Sequence, residues 1–367
     1  FSGGGINAVT RSGSNKVEAS AYFFTRNEGL AGKTLGENRQ TQAPFLNQQY
    51  GVRFGAPIIK DKLFFFGSFE HETGETPFTV NLVDQATLTA YGTNVPSTVS
   101  NISIETAQAV RDTLIKRYQY DPGSFGAFTP TSENNKFFGR LDWNINDKHQ
   151  LTLRHNYVKA TRDDIARTQN VLEFTNNGFL VEYINNSTIL EVNSRFSNSI
   201  SNRLIAGWTT VDDNRNVDAQ NAQGLFPHID INIWNNRIIR AGGQRSSLGN
   251  LKSQDILQIT DNLTIFKDKH TLTLGTHNEY FKIFNSFVNR YNGHYEYGDL
   301  ASFNNNAFDA SSDRLRVAYS VDYFNDGFKA VTLRFLQTGF YAQDEFQVNP
   351  DLRLTAGLRL DIPVFID

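Results

Sequence analysis

The sequence predicts an all-β fold, an antiparallel transmembrane β-barrel represented in part, with short turns at one end and long loops at the other. Two observations support this prediction. Alternating apolar and polar residues form pairs of runs separated by short polar turns, as in β-hairpins. No apolar run among the 367 residues approaches the ~18 residues that a membrane-spanning helix requires, whereas barrel strands carry apolar residues only at alternate positions.

The short turns recur along the chain. Asn, Asp and Pro stand between the paired runs, and these residue types favour tight turns. We expect turns at 60–62, 146–149, 267–270 and 349–351, with a looser copy over 198–204. The repetition predicts a series of hairpins that follow one another in the sheet.

Alternation within each hairpin separates an apolar face from a polar face. In the hairpin over 135–157, the apolar face holds Phe137, Leu141, Trp143, Ile145, Leu151, Leu153 and Tyr157. In a barrel this face contacts lipid and the opposite face lines the lumen. The residues expected to face the lumen are Arg53, Arg140, Asp142, Arg154, Arg359 and Asp361. An aromatic girdle is expected at Tyr157, Trp208, Tyr280 and Tyr341.

The connections at the other end of the hairpins are much longer. They span roughly 27–47, 73–134, 161–186, 213–252 and 285–331. Short periplasmic turns and long extracellular loops are typical of outer-membrane barrels. A soluble β-sandwich fits less well, because its connections are usually short on both sides.

One segment departs from the strand pattern. Residues 104–118 are rich in helix formers, with Ser103 or Thr106 as the candidate N-cap and Asp121-Pro122-Gly123 as a stop signal. The sequence predicts a helix that packs within the longest loop.

Composition narrows the classes of function. The chain has no Cys, which excludes disulfides, thiolate metal sites and a Cys nucleophile. Its net charge of −3 gives no basic footprint for nucleic acid. There is no Gly-x-Ser-x-Gly elbow of a hydrolase, and no Gly-Lys-Ser/Thr follows the Gly3-Gly4-Gly5 run. We therefore expect no enzyme and no catalytic, cofactor-binding or metal-binding residues.

The N-terminal segment and the hairpins carry a resemblance to a known family. The run Gly3-Gly4-Gly5-Ile6-Asn7-Ala8-Val9-Thr10-Arg11-Ser12-Gly13-Ser14-Asn15 resembles the junction between plug and barrel in TonB-dependent outer-membrane receptors, especially the Oar-like branch common in Bacteroidetes. Residues 21–27 and 50–66 are similar to the first barrel strands of those receptors, and 339–346 and 357–361 to a mid-barrel hairpin.

The resemblance implies a division of the chain. Residues 1–14 would be the end of the plug domain and the junction, with Gly3, Gly4, Gly5, Asn7, Arg11 and Gly13 as the junction residues. Residues 15–367 would form the N-terminal part of the barrel, about half of the ~22 strands of the largest plugged barrels. The chain would then be a fragment. We expect the charged residues that face the lumen to contact the plug rather than the substrate.

The function implied by this resemblance is import of a scarce solute across the outer membrane. The expected partners are a periplasmic TonB-type energy-transducing protein, outer-membrane lipid, a candidate surface lipoprotein and an unknown solute, without nucleic acid. Two alternatives stay open: a non-transporting outer-membrane barrel whose long loops bind a partner or matrix, and a soluble sugar-binding all-β protein.

Overall fold

The computed structural model describes residues 9–32, 34–35, 38–39, 43–216, 226–247, 250–305, 315–320 and 330–366. These residues form a large antiparallel sheet, called the wall, and a smaller folded unit built from the long loops, called the cap. Within the described residues the wall has eleven strands and the sheet of the cap has five.

The strands and helices have the following bounds. In chain order the strands are β1 (Glu18–Asn27), β2 (Thr34–Leu35), β3 (Asn38–Arg39), β4 (Leu46–Ile59), β5 (Leu63–Glu75), β6 (Thr131–Asn146), β7 (His149–Asp164), β8 (Val171–Glu173), β9 (Phe179–Arg195), β10 (Ile200–Asn216), β11 (His228–Trp234), β12 (Arg237–Ala241), β13 (Leu251–Lys267), β14 (His270–Ser286), β15 (His294–Tyr297), β16 (Leu315–Ala318), β17 (Val331–Asn349) and β18 (Leu352–Ile366). The helices are α1 (Gln85–Tyr91), α2 (Ile104–Tyr118) and α3 (Leu300–Asn305).

The wall is a sequential meander. Its order is β1-β4-β5-β6-β7-β9-β10-β13-β14-β17-β18, and each strand pairs antiparallel with its neighbours. The predicted short turns lie between the paired strands. Asp61 and Asp268 occupy the left-handed region there, with φ of 61° and 53°, a conformation that Asp tolerates. The hairpin prediction is confirmed.

Most wall strands are longer than a bilayer requires. After β1 they contain 13 to 19 residues, whereas about 9–11 tilted residues cross the hydrocarbon core. The wall strands therefore extend beyond the hydrocarbon core of a bilayer.

One face of the wall is apolar and exposed. The pairing register places on this face Tyr50, Val52, Phe54, Phe69, Phe137, Trp143, Leu153, Trp208, Leu257, Ile259, Leu274, Phe340, Leu358 and Leu360, all of them exposed. An apolar surface of this extent requires a non-aqueous neighbour.

The cap combines segments of four different loops. Its sheet has the order β16-β15-β11-β12-β8, in which β11 pairs with β15 and β12 with β8 in parallel. Asn235 and Asn236, with φ of 50° and 61°, form the tight turn between β11 and β12. Its buried core comprises Ile102, Ala107, Val110, Leu114, Tyr120, Leu172, Phe174, Ile229, Ile231, Ile239, Ala241, Tyr297 and Phe303.

Helix α2 confirms the helix predicted in the longest loop. Ser103 is the N-cap, and its side chain accepts a hydrogen bond from the backbone N–H of Thr106 at 3.2 Å. The helix ends at Tyr118, and the C-cap residue Gln119 adopts the left-handed conformation with φ of 54°. Ala107, Val110 and Leu114 face the core of the cap. In the described part of the chain, no helix has both the length and the apolar character to cross a membrane.

Candidate functional site

The six charged residues expected in the lumen share one face of the wall. The strand-pairing register, followed from β4 to β18, places Arg53, Arg140, Asp142, Arg154, Arg359 and Asp361 on the face opposite the exposed apolar residues. This surface is called the polar face.

Arg140 is the centre of the best-buried contacts on the polar face. Its guanidinium binds Asp142 through two hydrogen bonds of 2.8 Å and 2.7 Å. The hydroxyl of Thr152 donates to Asp142 Oδ1 at 2.8 Å, and both residues are buried. Arg140 Nη1 also donates to the carbonyl oxygen of Thr10 at 2.9 Å and to its hydroxyl at 2.7 Å. Arg140 therefore fastens the N-terminal tail to the wall.

The remaining polar-face candidates have local partners. Arg53 donates to Ser20 at 2.6 Å, and Arg154 Nη2 lies 3.4 Å from Glu191. Arg359 binds Asp361 with distances of 2.7 Å to 3.0 Å. Opposite charges pair along this face, so it is polar but locally neutralised.

The tail over residues 10–15 lies against the polar face and the first short turn. Gly13 approaches β5 so closely that a Cβ atom there would lie 2.4 Å from the carbonyl oxygen of Phe65, and only glycine fits such an approach. Asn15 and Asp61 are joined by two hydrogen bonds. The side-chain amide of Asn15 donates to the Asp61 carboxylate at 2.5 Å, and the backbone N–H of Asp61 donates to the Asn15 side-chain oxygen at 2.8 Å.

The other junction candidates differ in position. Arg11 is exposed, whereas Gly3, Gly4, Gly5 and Asn7 lie outside the described residues. A cavity of about 340 Å³ lies between the tail and the wall, and Arg53 and Phe66 line its wall side.

The girdle prediction requires one correction. Tyr341 lies on the polar face, where Arg359 stacks over its ring at 5.4 Å and its hydroxyl donates to Asn262 at 2.5 Å. Strand alternation decides this placement, because Tyr341 has the same parity as Arg359 across the β17–β18 pair. Trp208, by contrast, lies on the apolar face with 60% exposure.

The cap contains a polar cluster that the sequence analysis missed. His228, Asp230 and His294 are buried, and their ligand atoms lie within 4.8 Å of one another. Burial alone would raise the pKa of Asp230, but hydrogen bonds from His228 and His294 and the Arg240 charge outweigh it and hold that pKa well below its ordinary range. The available signal was the His-x-Asp spacing, which puts both side chains on one side of a strand.

Comparison with known proteins identifies the wall. Residues 9–366 match the family described as outer membrane beta barrel domain. The chain belongs to this family. Family membership places this barrel domain in the outer membrane, and it makes the antiparallel wall a part of a transmembrane β-barrel.

Relatives of the barrel domain are transporters and receptors. It is 31% identical over 172 residues to the TonB-dependent transporter Oar of Myxococcus xanthus, a match that covers 45% of this chain and 15% of Oar. It resembles the outer membrane transporter YddB from Escherichia coli with a TM-score of 0.58 and 12% identity, over 97% of this chain and 40% of YddB. A variant of the ferric enterobactin receptor PfeA from Pseudomonas aeruginosa matches with a TM-score of 0.49 and 11% identity, over 96% of this chain and 40% of the receptor.

The barrel domain is shorter than these proteins. It spans about two fifths of YddB, and its match to Oar covers less than a sixth of that transporter. The likeness to YddB shows a shared fold, and the solute and partners of the relatives are not transferred by it.

Proposed function

We propose that the chain is the plug end and N-terminal barrel part of an Oar-like, TonB-dependent outer-membrane transporter that imports a scarce solute. The identity to Oar over 172 residues supports this branch, and the resemblance of the N-terminal run supports a Bacteroidetes-type member. In this proposal, residues 1–14 are the plug tail and residues 15–367 belong to the barrel.

The contact between the tail and the polar face carries the proposal. A plugged barrel requires a chain segment that enters the lumen from the end where the short turns lie. Thr10 meets Arg140 on the polar face, and Asn15 meets Asp61 at a short turn. In a barrel whose apolar face contacts lipid, the polar face lines the lumen. Gly3, Gly4, Gly5, Asn7, Arg11 and Gly13 are then the junction between plug and barrel.

The proposed mechanism has two partners. A solute binds first to the long loops, and a periplasmic TonB-type protein then pulls on the plug so that the solute passes. Arg140 holds the plug tail against the wall until that pull, because its bidentate pair with Asp142 fixes the guanidinium that donates two hydrogen bonds to Thr10. Outer-membrane lipid surrounds the apolar face, and a surface lipoprotein is a further proposed partner at the long loops.

Uptake by intact cells tests the proposal. Cells that produce the full-length protein are compared with deletion cells, in the presence and absence of their TonB-type protein, on labelled ferric siderophores, cobalamin, oligosaccharides and peptides. We expect at least one compound to accumulate only when both proteins are present. Accumulation that does not depend on the TonB-type protein would contradict the proposal.

A second candidate function is supported by the cap. Four loops share a buried core, and an ordered surface of this kind also suits a non-transporting barrel that binds a partner or matrix. Surface retention of a labelled compound without accumulation, whether or not the TonB-type protein is present, would favour this second function.

A further inference from the structure

The cluster of His228, Asp230 and His294 is formed by two neighbouring parallel strands of the cap. His228 lies directly opposite His294 in the register of β11 and β15, and Asp230 follows two residues later on the same side of β11. The three residues are 3%, 7% and 4% exposed. Imidazole and carboxylate groups that converge in a buried site are the ligand types that transition metals such as Zn²⁺ prefer.

The contacts within the cluster are a few tenths of an ångström shorter than the spacing of ligands around one small cation, and all the ligand atoms lie within 4.8 Å of one another. His228 Nε2 lies 3.2 Å from Asp230 Oδ1, and His294 Nε2 lies 2.8 Å from Asp230 Oδ2. Ligand atoms bound about 2.0–2.2 Å from a tetrahedral Zn²⁺ are about 3.3–3.5 Å apart. The three side chains therefore need only small rotations to share one ion.

Both ring nitrogens of His228 have polar neighbours, and Nε2 is the one that faces Asp230. Its other ring nitrogen, Nδ1, lies 3.2 Å from the carbonyl oxygen of Gly243, which can only accept. Asn177 Nδ2 lies 3.0 Å from the same nitrogen, 2.9 Å from the carbonyl oxygen of Gly242 and 3.4 Å from that of Ala241. In a metal-bound form, Nδ1 would donate to Gly243, as the second nitrogen of a metal-bound histidine usually does.

Arginine and carboxylate side chains surround the cluster. Arg240 donates to Asp230 Oδ1 at 3.2 Å, but it also binds Glu173 at 2.8 Å. Arg245 lies 3.7 Å from Asp230 Oδ2. Glu296 lies opposite Asp230 in the register of β11 and β15, and opposite Arg316 in that of β15 and β16. Three carboxylates therefore stand beside three guanidinium groups, so the fixed charges near the cluster balance.

We propose that His228 Nε2, His294 Nε2 and a carboxylate oxygen of Asp230 bind a divalent transition-metal ion, with Zn²⁺ as the first choice. Arg240 holds the second carboxylate oxygen, as outer hydrogen bonds commonly hold a metal-ligating carboxylate. The site is buried, so the ion is a structural part of the cap and not a transported solute. It fastens the loop that follows β10 to the loop that follows β14.

Zinc titration of the purified full-length protein tests this site. The protein is purified in detergent, stripped of metal with a chelator and dialysed. It is then titrated with ZnCl₂ by calorimetry, and the number of bound metal ions is measured by mass spectrometry. We expect one tight equivalent, and we expect His228→Ala and His294→Ala each to weaken it by more than ~10-fold, the least that loss of even a supporting group usually costs. Co²⁺ as a second probe should give the visible absorption of a tetrahedral N/O site.

His270→Ala is the matched control. His270 also contacts an aspartate, Asp344 at 2.7 Å, but it is exposed and has no second histidine in its contact. This variant should keep the tight equivalent. Asp230→Asn preserves shape, so it tests ligation without a cavity, and resistance of the cap to protease reports whether the cap is folded.

Three outcomes would overturn the site. The first is a stripped wild-type protein that takes up no tight Zn²⁺, because the two histidines then only hydrogen-bond to Asp230. The second is unchanged Zn²⁺ binding in the two histidine variants, which would place the metal elsewhere. The third is unchanged Zn²⁺ binding by an Asp230→Asn protein whose cap remains protease-resistant.

Discussion

At the scale of single residues, a few close contacts hold together segments that are distant in the sequence. Arg140 has a double role, because it neutralises the buried Asp142 and also holds Thr10 of the tail. Removal of one partner from such a buried network leaves the other charge unpaired and is costly. In the cap, Gly242 makes another close contact, because it lies against the backbone of Pro227, the residue before strand β11.

Gly242→Ala should destabilise the cap strongly. Gly242 has φ of 80°, and a Cβ atom there would lie 1.8 Å from the carbonyl oxygen of Pro227. Backbone strain and a steric overlap with main chain combine, so we expect a loss above about 3 kcal/mol in the free energy of cap unfolding. Limited proteolysis of the cap in detergent measures this.

Gly293→Ala is the matched control for this substitution. Its φ of 87° is similar, but the nearest atoms, in Pro227 and Tyr295, lie at an ordinary 3.8 Å. Only the left-handed backbone penalty of about 1–2 kcal/mol remains. Equal protease sensitivity of the two variants would show that the contact with Pro227 does not determine cap stability.

At the scale of elements, the wall and the cap are stabilised in different ways. The wall strands pair along their whole length in one ladder, whereas the cap depends on a small apolar core to which every contributing loop adds only a few residues. Helix α2 supplies Ala107, Val110 and Leu114 to that core. The cap should therefore unfold before the wall.

Leu114→Ala should unfold the cap without loss of the barrel. Leu114 is completely buried, and truncation of such a leucine costs about 2–5 kcal/mol. Protease sensitivity of the cap should rise, while the barrel keeps its heat-modifiable mobility on SDS gels. Ile115→Ala on the same helix, at a position that is 40% exposed, should change neither readout. Loss of the folded barrel in Leu114→Ala would contradict the independence of the two units.

Ile259→Arg tests which face of the wall contacts lipid. Ile259 is at the middle of β13, on the apolar face and 44% exposed. An arginine near the bilayer midplane costs about 2–4 kcal/mol, and a lumen-facing change costs little stability. Refolding into lipid vesicles followed by chemical denaturation should show this loss. Gln258→Arg, adjacent and on the polar face, is the control; an equal loss in both variants would mean that the face assignment is wrong.

At the scale of the whole molecule, the two ends of the wall differ in kind. Short turns occupy one end, with the tail beside the turn at Asp61. The long loops leave from the other end, and four of them combine into the cap. In the proposed transporter, the solute would reach the loops and the energy source would act on the plug, so the orientation of the two ends would set the direction of import.

Cysteine labelling on intact cells determines that orientation. The native chain has no Cys, so a single cysteine gives a clean signal. Lys116→Cys, exposed on α2 in the cap, should react with a membrane-impermeant thiol reagent, whereas Asp147→Cys in a short turn should react only after the cells are opened. The reverse pattern would invert the topology and remove the basis for inward transport.

The amino-acid sequence by itself determined the wall and helix α2. The hairpins between β6 and β7 and between β17 and β18, and the charges on their polar face, follow from an alternation with a period of two that is visible within about ten residues. Helix α2 has the same local basis, because its formers, its N-cap at Ser103 and its stop near Asp121 lie within one short segment.

Only the tertiary structure decided the cap and its His228–Asp230–His294 cluster. The strands of the cap are 3 to 7 residues long and pair across loops, and His294 stands 64 residues after Asp230. Such short strands have no periodicity that specifies a distant partner, and their pairing depends on the shared apolar core that forms when the loops meet.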